Sequence, residues 1–565
     1  MKNYIDTQRG YKNIIDVLFT VSGVVFTFIM TLNYAVYIVY DGYTATGDYK
    51  VQFPYAVIAA IIILPVYFYL CKYRDFVFRT LEAASVYSFF FSAFVGIFIS
   101  LQLIRDTERN LSHILWAFHY SGDISSHDSI WSVGVWCACV LAALSIVVFV
   151  NYVVNLFLSW FLALFNRMDK YDKIYFSVTL FLSISLICFF HSKTTAVWNS
   201  LDLVYETDAI FIYDHYYSVF SFGLDFDWDI GCGGIRHPLA TMITYPIYVV
   251  VSVVANLLFW IPNVQALLYA VVHSVLMILS AIMICKIVRN RWIYLFSALS
   301  FPFIFYSFFI EKYPIIVFFV VLYVYSTVKE KNEELQKYSL VAAGGMMITF
   351  ALLGIFYGKG KRFRERLLEY NNAVMLFLLT MIGTGRIHYL LDIYRLLHQN
   401  SIMFIEDVTS GFTIEDKFCG FTNLMASCLI PVAYEETEWS FYWQHLTDRM
   451  NLFGLAVLFI VVYSCGRYIK NKKMIPFMFW IFVGGICQFF IIGCGTNAEP
   501  LFSLCFSWAV IPMLVLGIDQ LVKKVKLRNA IYIGLLTVMF YMNYVHCQDL
   551  LAYLMREAPI GKKFS

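Results

Sequence analysis

Residues 131–150 read WSVGVWCACVLAALSIVVFV, twenty consecutive residues without a charge. At 1.5 Å rise per residue, a helix of that length spans about 30 Å, the thickness of a hydrocarbon core. Lipid offers no hydrogen-bond partners, so a spanning segment must satisfy its own backbone, and an α-helix does so. Residues 14–40 form a second apolar block. It is too long for a signal peptide and no small-residue cleavage site follows it, so it reads as a retained helix. Of the 565 residues, 61% are hydrophobic and 14% charged, against roughly 45–50% and about 25% in soluble domains. The fold class expected is therefore all-α, a polytopic membrane protein, and a soluble globular domain is excluded.

The net charge of +3 is small, and no nucleic-acid patch is visible. The placement of charge is more informative. Lys and Arg cluster around Lys2–Lys12, Lys72–Arg79, Arg167–Lys173, Lys286–Arg291, Lys329–Lys337, Lys359–Arg366, Arg467–Lys473 and Lys523–Arg528. Cytoplasmic loops carry such excess, and one threading puts every cluster inside. It requires residues 237–262 to lie along the outer interface as a juxtamembrane helix, where Pro238 and Pro246 disfavour an uninterrupted span. It also treats residues 338–357, centred on Gly344–Gly345, as a re-entrant hairpin, a plain crossing being the alternative.

The crossings then fall near 14–40, 54–71, 83–104, 131–152, 173–190, 264–285, 292–309, 313–328, 371–388, 451–467, 475–493, 501–519 and 528–546. That is about 13 transmembrane helices, with the amino terminus cytoplasmic. The expected organisation is an N-terminal four-helix membrane region (1–170), a transmembrane core (171–550) with outer loops 191–263 and 389–450, and a C-terminal tail (551–565).

Acidic residues fall in the outer loops. The first carries Asp202, Glu206, Asp208, Asp214, Asp225, Asp227 and Asp229. The second carries Glu406, Asp407, Glu415, Asp416, Glu435, Glu436, Glu438 and Asp448. The 13 cysteines contain no CxxC pair; most, such as Cys137, Cys188, Cys285 and Cys487, read as small packing residues within apolar helices. Cys232, Cys419 and Cys428 are expected in loops, where a disulfide is conceivable. The aromatic Trp439, Phe441, Tyr442 and Trp443 suit either sugar stacking or docking on the bilayer surface.

The stretch Leu203-Val-Tyr-Glu206-Thr-Asp208-Ala-Ile-Phe-Ile-Tyr-Asp214-His215 follows the fifth expected helix, and Gly234-Ile-Arg236-His237-Pro238-Leu239 comes some twenty residues later. A carboxylate just above a helix end, at the lipid–water boundary, could deprotonate an acceptor hydroxyl while a donor's lipid tail stays in the bilayer. Partial burial would raise its pKa toward neutrality. The same acids would equally serve to solvate an outer loop.

This arrangement resembles the GT-C glycosyltransferase superfamily, polytopic enzymes that use polyprenyl-phosphate sugars, in particular bacterial members of protein-mannosyltransferase and aminoarabinose-transferase type. Glu206-Thr-Asp208 is similar to the acidic element of the first outer loop. His237-Pro-Leu239 is similar to the HPPL or KPPL element that opens a juxtamembrane helix, with one proline fewer. Phe309-Ile-Glu311-Lys-Tyr-Pro314 and Asn497-Ala-Glu499-Pro-Leu-Phe-Ser503 add echoes over roughly residues 170–550. The resemblance implies an inverting transfer from a polyprenyl-phosphate-linked donor to an extracytoplasmic glycan, lipid or protein acceptor, in the bacterial cytoplasmic membrane. It implies Asp208 as catalytic base or metal-linked carboxylate. It leaves a divalent metal ion open, with Asp208 and His237 as candidate ligands. No cofactor is certain.

Substrate-binding candidates are Glu206, Asp214, His215, Arg236, His237, Glu311, Arg386, Arg395 and Glu499, with His388 also near the outer boundary. Arginine matches phosphate oxygens with a planar fork, though an interfacial arginine can simply snorkel. Arg386 stands out, since it follows an apolar run and Gly383-Thr-Gly385, and a charge so close to hydrocarbon is costly. The competing functions are a transporter or flippase for lipid-linked sugars and an oligosaccharide polymerase or ligase. Transporters place ionisable groups near the midplane, whereas the acids here gather at expected helix ends and loops.

Overall fold

The computed structural model describes residues 17–18, 21–26, 28–30, 32–33, 86–117, 130–198, 219–220, 237–358, 363–386, 389, 413–431, 449–491 and 499–558. Among these residues every element is helical and there is no strand. The elements are α1 (Val86–Ala117), α2 (Ile130–Asn166), α3 (Lys170–His191), α4 (Ala240–Leu257), α5 (Val264–Val288), α6 (Trp292–Ala298), α7 (Phe301–Phe308) and α8 (Tyr313–Tyr325). A π-helical turn (Ser326–Glu330), α9 (Glu333–Met346) and a 3-10 helix (Ile348–Phe356) follow. The chain ends with α10 (Phe363–Gly383), α11 (Ile414–Ser427), α12 (Arg449–Tyr468), α13 (Ile475–Phe479), two further π-helical stretches (Trp480–Gly484, Ile486–Ile491), α14 (Glu499–Leu521) and α15 (Val525–Glu557).

Eight helices among the described residues are long and apolar enough to cross a membrane. This is a multi-pass membrane protein. Seven of the eight match expected crossings; the eighth is α4, which the charge count had laid along the interface. Of the other expected crossings, 54–71 lies outside the described residues, as does most of 14–40. The span expected at 292–309 is two short helices. Pro302 has no N–H to continue a ladder from α6, so the chain breaks at Leu299–Ser300 and restarts with the proline in the first turn of α7. At 475–493 the helix widens into π turns around Trp480. That ring is fully buried and stacked on Phe350 at 4.0 Å, and a Cβ on Gly484 would lie 2.8 Å from it.

The segment 338–357 is a helix followed by a 3-10 helix. α9 stops at Met347, the 3-10 helix packs back along it, and Gly358 N–H donates to Gln336 Oε1 at 3.4 Å, bringing the two ends together. Cys419 and Cys428, expected in a loop, lie in and at the cap of α11, both buried. Thr413 and Asp416 form a capping box that starts this helix inside the second acidic segment.

The chain divides into two compact units. The first holds residues 1–167, 217–249 and 374–393; the second holds 168–216, 250–373 and 394–565. The core of the first unit gathers Phe26, Ile29, Met30, Val95, Ile99, Leu103, Cys139, Val219, Phe220, Tyr245 and Ile382.

In the second unit the basic clusters meet at one end. Asp169 and Asp172 cap α3 reciprocally. The Asp172 carboxylate also receives Lys286 Nζ at 2.6 Å and the Tyr294 hydroxyl at 2.5 Å, while Arg291 reaches Asp169 at 3.2 Å. Asp519 closes α14 with Asn290 Nδ2 at 2.7 Å, Tyr532 OH at 2.9 Å and Arg528 Nε at 3.1 Å. Gln520 then donates to Tyr468 OH at 2.8 Å. Two carboxylates thus tie five helices at a pole otherwise rich in lysine and arginine.

Candidate functional site

The opposite pole of the second unit is assembled by backbone hydrogen bonds between loops. After α3, Thr194 and Thr195 both donate to the Ala558 carbonyl at the end of α15, from Oγ1 at 2.7 Å and from N–H at 3.2 Å. Ile310 N–H donates to Val197 O at 3.1 Å, and His191 Nε2 hydrogen-bonds Phe308 O at 3.2 Å. The carbonyl partner requires that nitrogen to carry the proton. Phe190 stacks on Phe308 at 3.9 Å. Phe301 N–H donates to Leu429 O at 3.0 Å, and Cys428 Sγ meets Ser503 O at 3.6 Å. The ends of α3, α7, α11 and α15 and the starts of α8 and α14 therefore share one pole.

At its centre, between α7 and α8, sit Glu311 and Lys312, 1% and 4% exposed. Pro314 in the first turn of α8 fixes where that helix begins. The Glu311 carboxylate accepts the Lys312 main-chain N–H at 3.0 Å. Lys312 Nζ lies 5.9 Å from the Tyr313 ring centroid and, among the described residues, finds no carboxylate or hydrogen-bond acceptor. Tyr313 packs on Phe502 at 5.8 Å and on Tyr306 at 5.9 Å. Tyr306 lies in the electrostatic reach of Glu311, and Cys505 in that of Lys312. Lys312 is the N-cap of α8, so its charge adds to the positive potential of that helix amino terminus. Lys312 was missed from sequence, although a lysine directly before Tyr-Pro at a helix start is a readable signal.

In the first unit Arg386 is 1% exposed. Gly385, with φ +84°, turns the chain out of α10, and Arg386 N–H returns to Met381 O at 2.8 Å. Its guanidinium donates to Val219 O, to Thr384 O at 3.4 Å and to Thr241 Oγ1 at 2.5 Å. Arg386 thus engages the protein itself through both Nη atoms. His237 is buried at the start of α4, where its carbonyl accepts Ala240 N–H at 3.1 Å. Glu499 opens α14. Glu206, Asp208, Asp214, His215, Arg236, His388 and Arg395 lie outside the described residues.

Among the described residues no group of three or more His, Cys, Asp or Glu could hold a metal ion. Of the two candidate metal ligands, His237 is described and Asp208 lies outside the described residues.

Compared with known proteins, the chain matches no family model, no curated protein and no solved structure.

Proposed function

We propose that this chain is an integral membrane glycosyltransferase of GT-C type, moving a sugar from a polyprenyl-phosphate-linked donor to an acceptor outside the cytoplasm. The observation that carries the reading is Lys312 beside Glu311, a cation with no carboxylate partner among the described residues, at the pole that Ile310 and Val197 share, the chain running on from Val197 in sequence to Glu206 and Asp208. Asp208 takes the proton of the acceptor hydroxyl, the freed oxygen attacks the anomeric carbon, and the sugar–phosphate bond breaks with inversion. Negative charge grows on the leaving phosphate, and Lys312 lowers the barrier by facing it in a site of low dielectric. Glu311 holds the Lys312 main chain, which sets the start of α8. Arg236 and Arg395 remain candidates for further phosphate contacts. Under this reading Arg386 positions backbone.

A transporter for the same lipid-linked sugars is the second reading, and His273 favours it. This residue lies within α5, 1% exposed, with neither ring nitrogen hydrogen-bonded among the described residues. An ionisable group inside a span is the kind a transport pathway uses.

The test is release of free polyprenyl phosphate from a panel of labelled polyprenyl-phosphate sugars, using the full-length protein in proteoliposomes. Release that disappears in Asp208→Asn, with membrane insertion intact, supports transfer. Sugar movement across the bilayer without release, unaffected by Asp208→Asn and lost in His273→Ala, would replace transfer with transport.

A further inference from the structure

The basic pole holds cations of two kinds. Lys286, Arg291 and Arg528 each have a carboxylate within 3.2 Å. Arg289, Lys329 and Lys473 have none among the described residues, nor any side-chain hydrogen bond. They come from three separate turns that the fold brings together. Arg289 closes α5 beside Asn290, which is tied to Asp519; the adjacent Gln520 is tied to Tyr468. From there Asn471 N–H donates to Tyr468 O at 2.7 Å, and Asn471 Oδ1 receives the Lys473 N–H at 3.1 Å. Lys329 sits in the π turn that ends α8, the helix packed along α5. Arg289, Lys473 and Lys286 all act electrostatically on Lys329.

Two features mark this grouping. Like charges repel across a pole where nearby carboxylates are already engaged. The backbone is also strained: Arg289 (φ +63°) and Lys331 (φ +54°) are two of the three non-glycine residues with positive φ among the described residues. Lys331 N–H reaches back to Ser326 O at 2.7 Å to close the π turn. Strained cap residues and π turns concentrate where a site is being shaped.

We infer that Arg289, Lys329 and Lys473 form a cradle for the phosphate of an anionic phospholipid headgroup at the membrane surface. The multi-pass fold supplies the argument for this source, because turns that end spanning helices lie at headgroup level. Three donors from three turns would clasp one phosphate and brace α5, α8 and α12 against one another. The inference does not depend on the proposed sugar transfer.

The experiment is thermal unfolding of the full-length protein in neutral detergent, with cardiolipin, phosphatidylglycerol, phosphatidylcholine or inorganic phosphate added at equal phosphate concentration. The two anionic lipids should raise Tm by several degrees, and the other two should not. R289Q/K329Q/K473Q should lose most of that shift. K470Q/K472Q/K523Q, which removes the same charge from the same pole, should keep it. If the first triple variant does not fold, K329Q/K473Q should lose about half. An equal shift in either cradle variant, an equal loss in the control, or an equal effect of inorganic phosphate overturns the site.

Discussion

Arg386 donates from Nη1 to the main-chain carbonyl of Val219, 167 residues earlier, while the Val219 N–H donates to Gln102 Oε1 at 3.0 Å. Both backbone groups of Val219 are thereby satisfied by side chains within the first unit, in a short piece of chain that has no helix or strand to do so. Val219 and Phe220 are buried in the core of that unit, where an unmade backbone bond costs about 1–3 kcal/mol. Arg386→Ala leaves the Val219 carbonyl and the Thr241 hydroxyl short of a donor. It should destabilise the protein by roughly 2–4 kcal/mol, read as a lowered Tm in detergent. An unchanged Tm would remove Arg386 from this role.

The basic pole of the second unit was legible because charge segregation in a membrane protein is a long-range pattern, visible without any contact being known. Arg386 was legible as a costly charge, yet nothing in the sequence paired it with Val219 or Thr241. The break at Ser300-Phe-Pro302 and the widening at Gly484–Gly485 each had a local signal, but hydropathy averages over such signals and reads one span. Glu311 was singled out and Lys312 passed over. A lysine at a helix boundary ordinarily snorkels to water, and only the packing of Tyr306, Tyr313 and Phe502 shows that this one is enclosed.

Gly454 marks the close crossing of α11 and α12. A Cβ there would meet the Thr422 carbonyl oxygen at 2.0 Å, and the Thr422 hydroxyl is already committed to Asn451 Oδ1 at 2.7 Å. Backbone cannot retreat as a side chain can, so Gly454→Ala should cost about 1–3 kcal/mol. Gly466→Ala on the same helix, with nothing within 4 Å, should be neutral or stabilising by up to about 1 kcal/mol. Comparing the two Tm values separates packing from helix propensity.

At the basic pole Asp172 is nearly enclosed, with its side chain 5% exposed against 20% for Lys286. Removing either partner strands the other, so Asp172→Ala and Lys286→Ala should each destabilise by roughly 3 kcal/mol. The double variant should lose less than the sum, with a coupling of about 1–3 kcal/mol. Additive losses in thermal unfolding would show that the pair does not interact energetically.

Asp169, at the exposed N-cap of α3, has its carboxyl held below the usual range, first by the Asp172 main-chain N–H, then by Tyr171 N–H and Arg291. A folded-state value below the unfolded one adds stability above the unfolded pKa of about 4. That contribution fades as pH falls through the depressed value. Asp169→Asn keeps a capping oxygen and removes the charge. It should be weaker than the parent by about 0.3–1 kcal/mol near pH 7, a modest effect because solvent screens the group. The difference should shrink toward zero as the medium is acidified below the carboxylate range. A gap that stays constant from neutral to acidic pH would assign the effect to something other than this charge.

Lys312 gives the sharpest prediction, because a role in the fold and a role in turnover move different readouts there. If its ammonium serves only the fold, replacing it with an apolar residue of similar length should be disruptive or neutral, with no separate effect on turnover. If it faces the leaving phosphate, Lys312→Met, which keeps an apolar stem against Tyr313, should leave Tm little changed. Release of polyprenyl phosphate should then fall by about 100-fold or more, the usual effect of losing one preorganised electrostatic partner. Lys312→Arg, which keeps the charge and changes its shape, should recover part of the rate. The loss should appear mainly in kcat, because charge on the phosphate grows between ground state and transition state. A Met variant that folds and is fully active would leave Lys312 outside the chemistry.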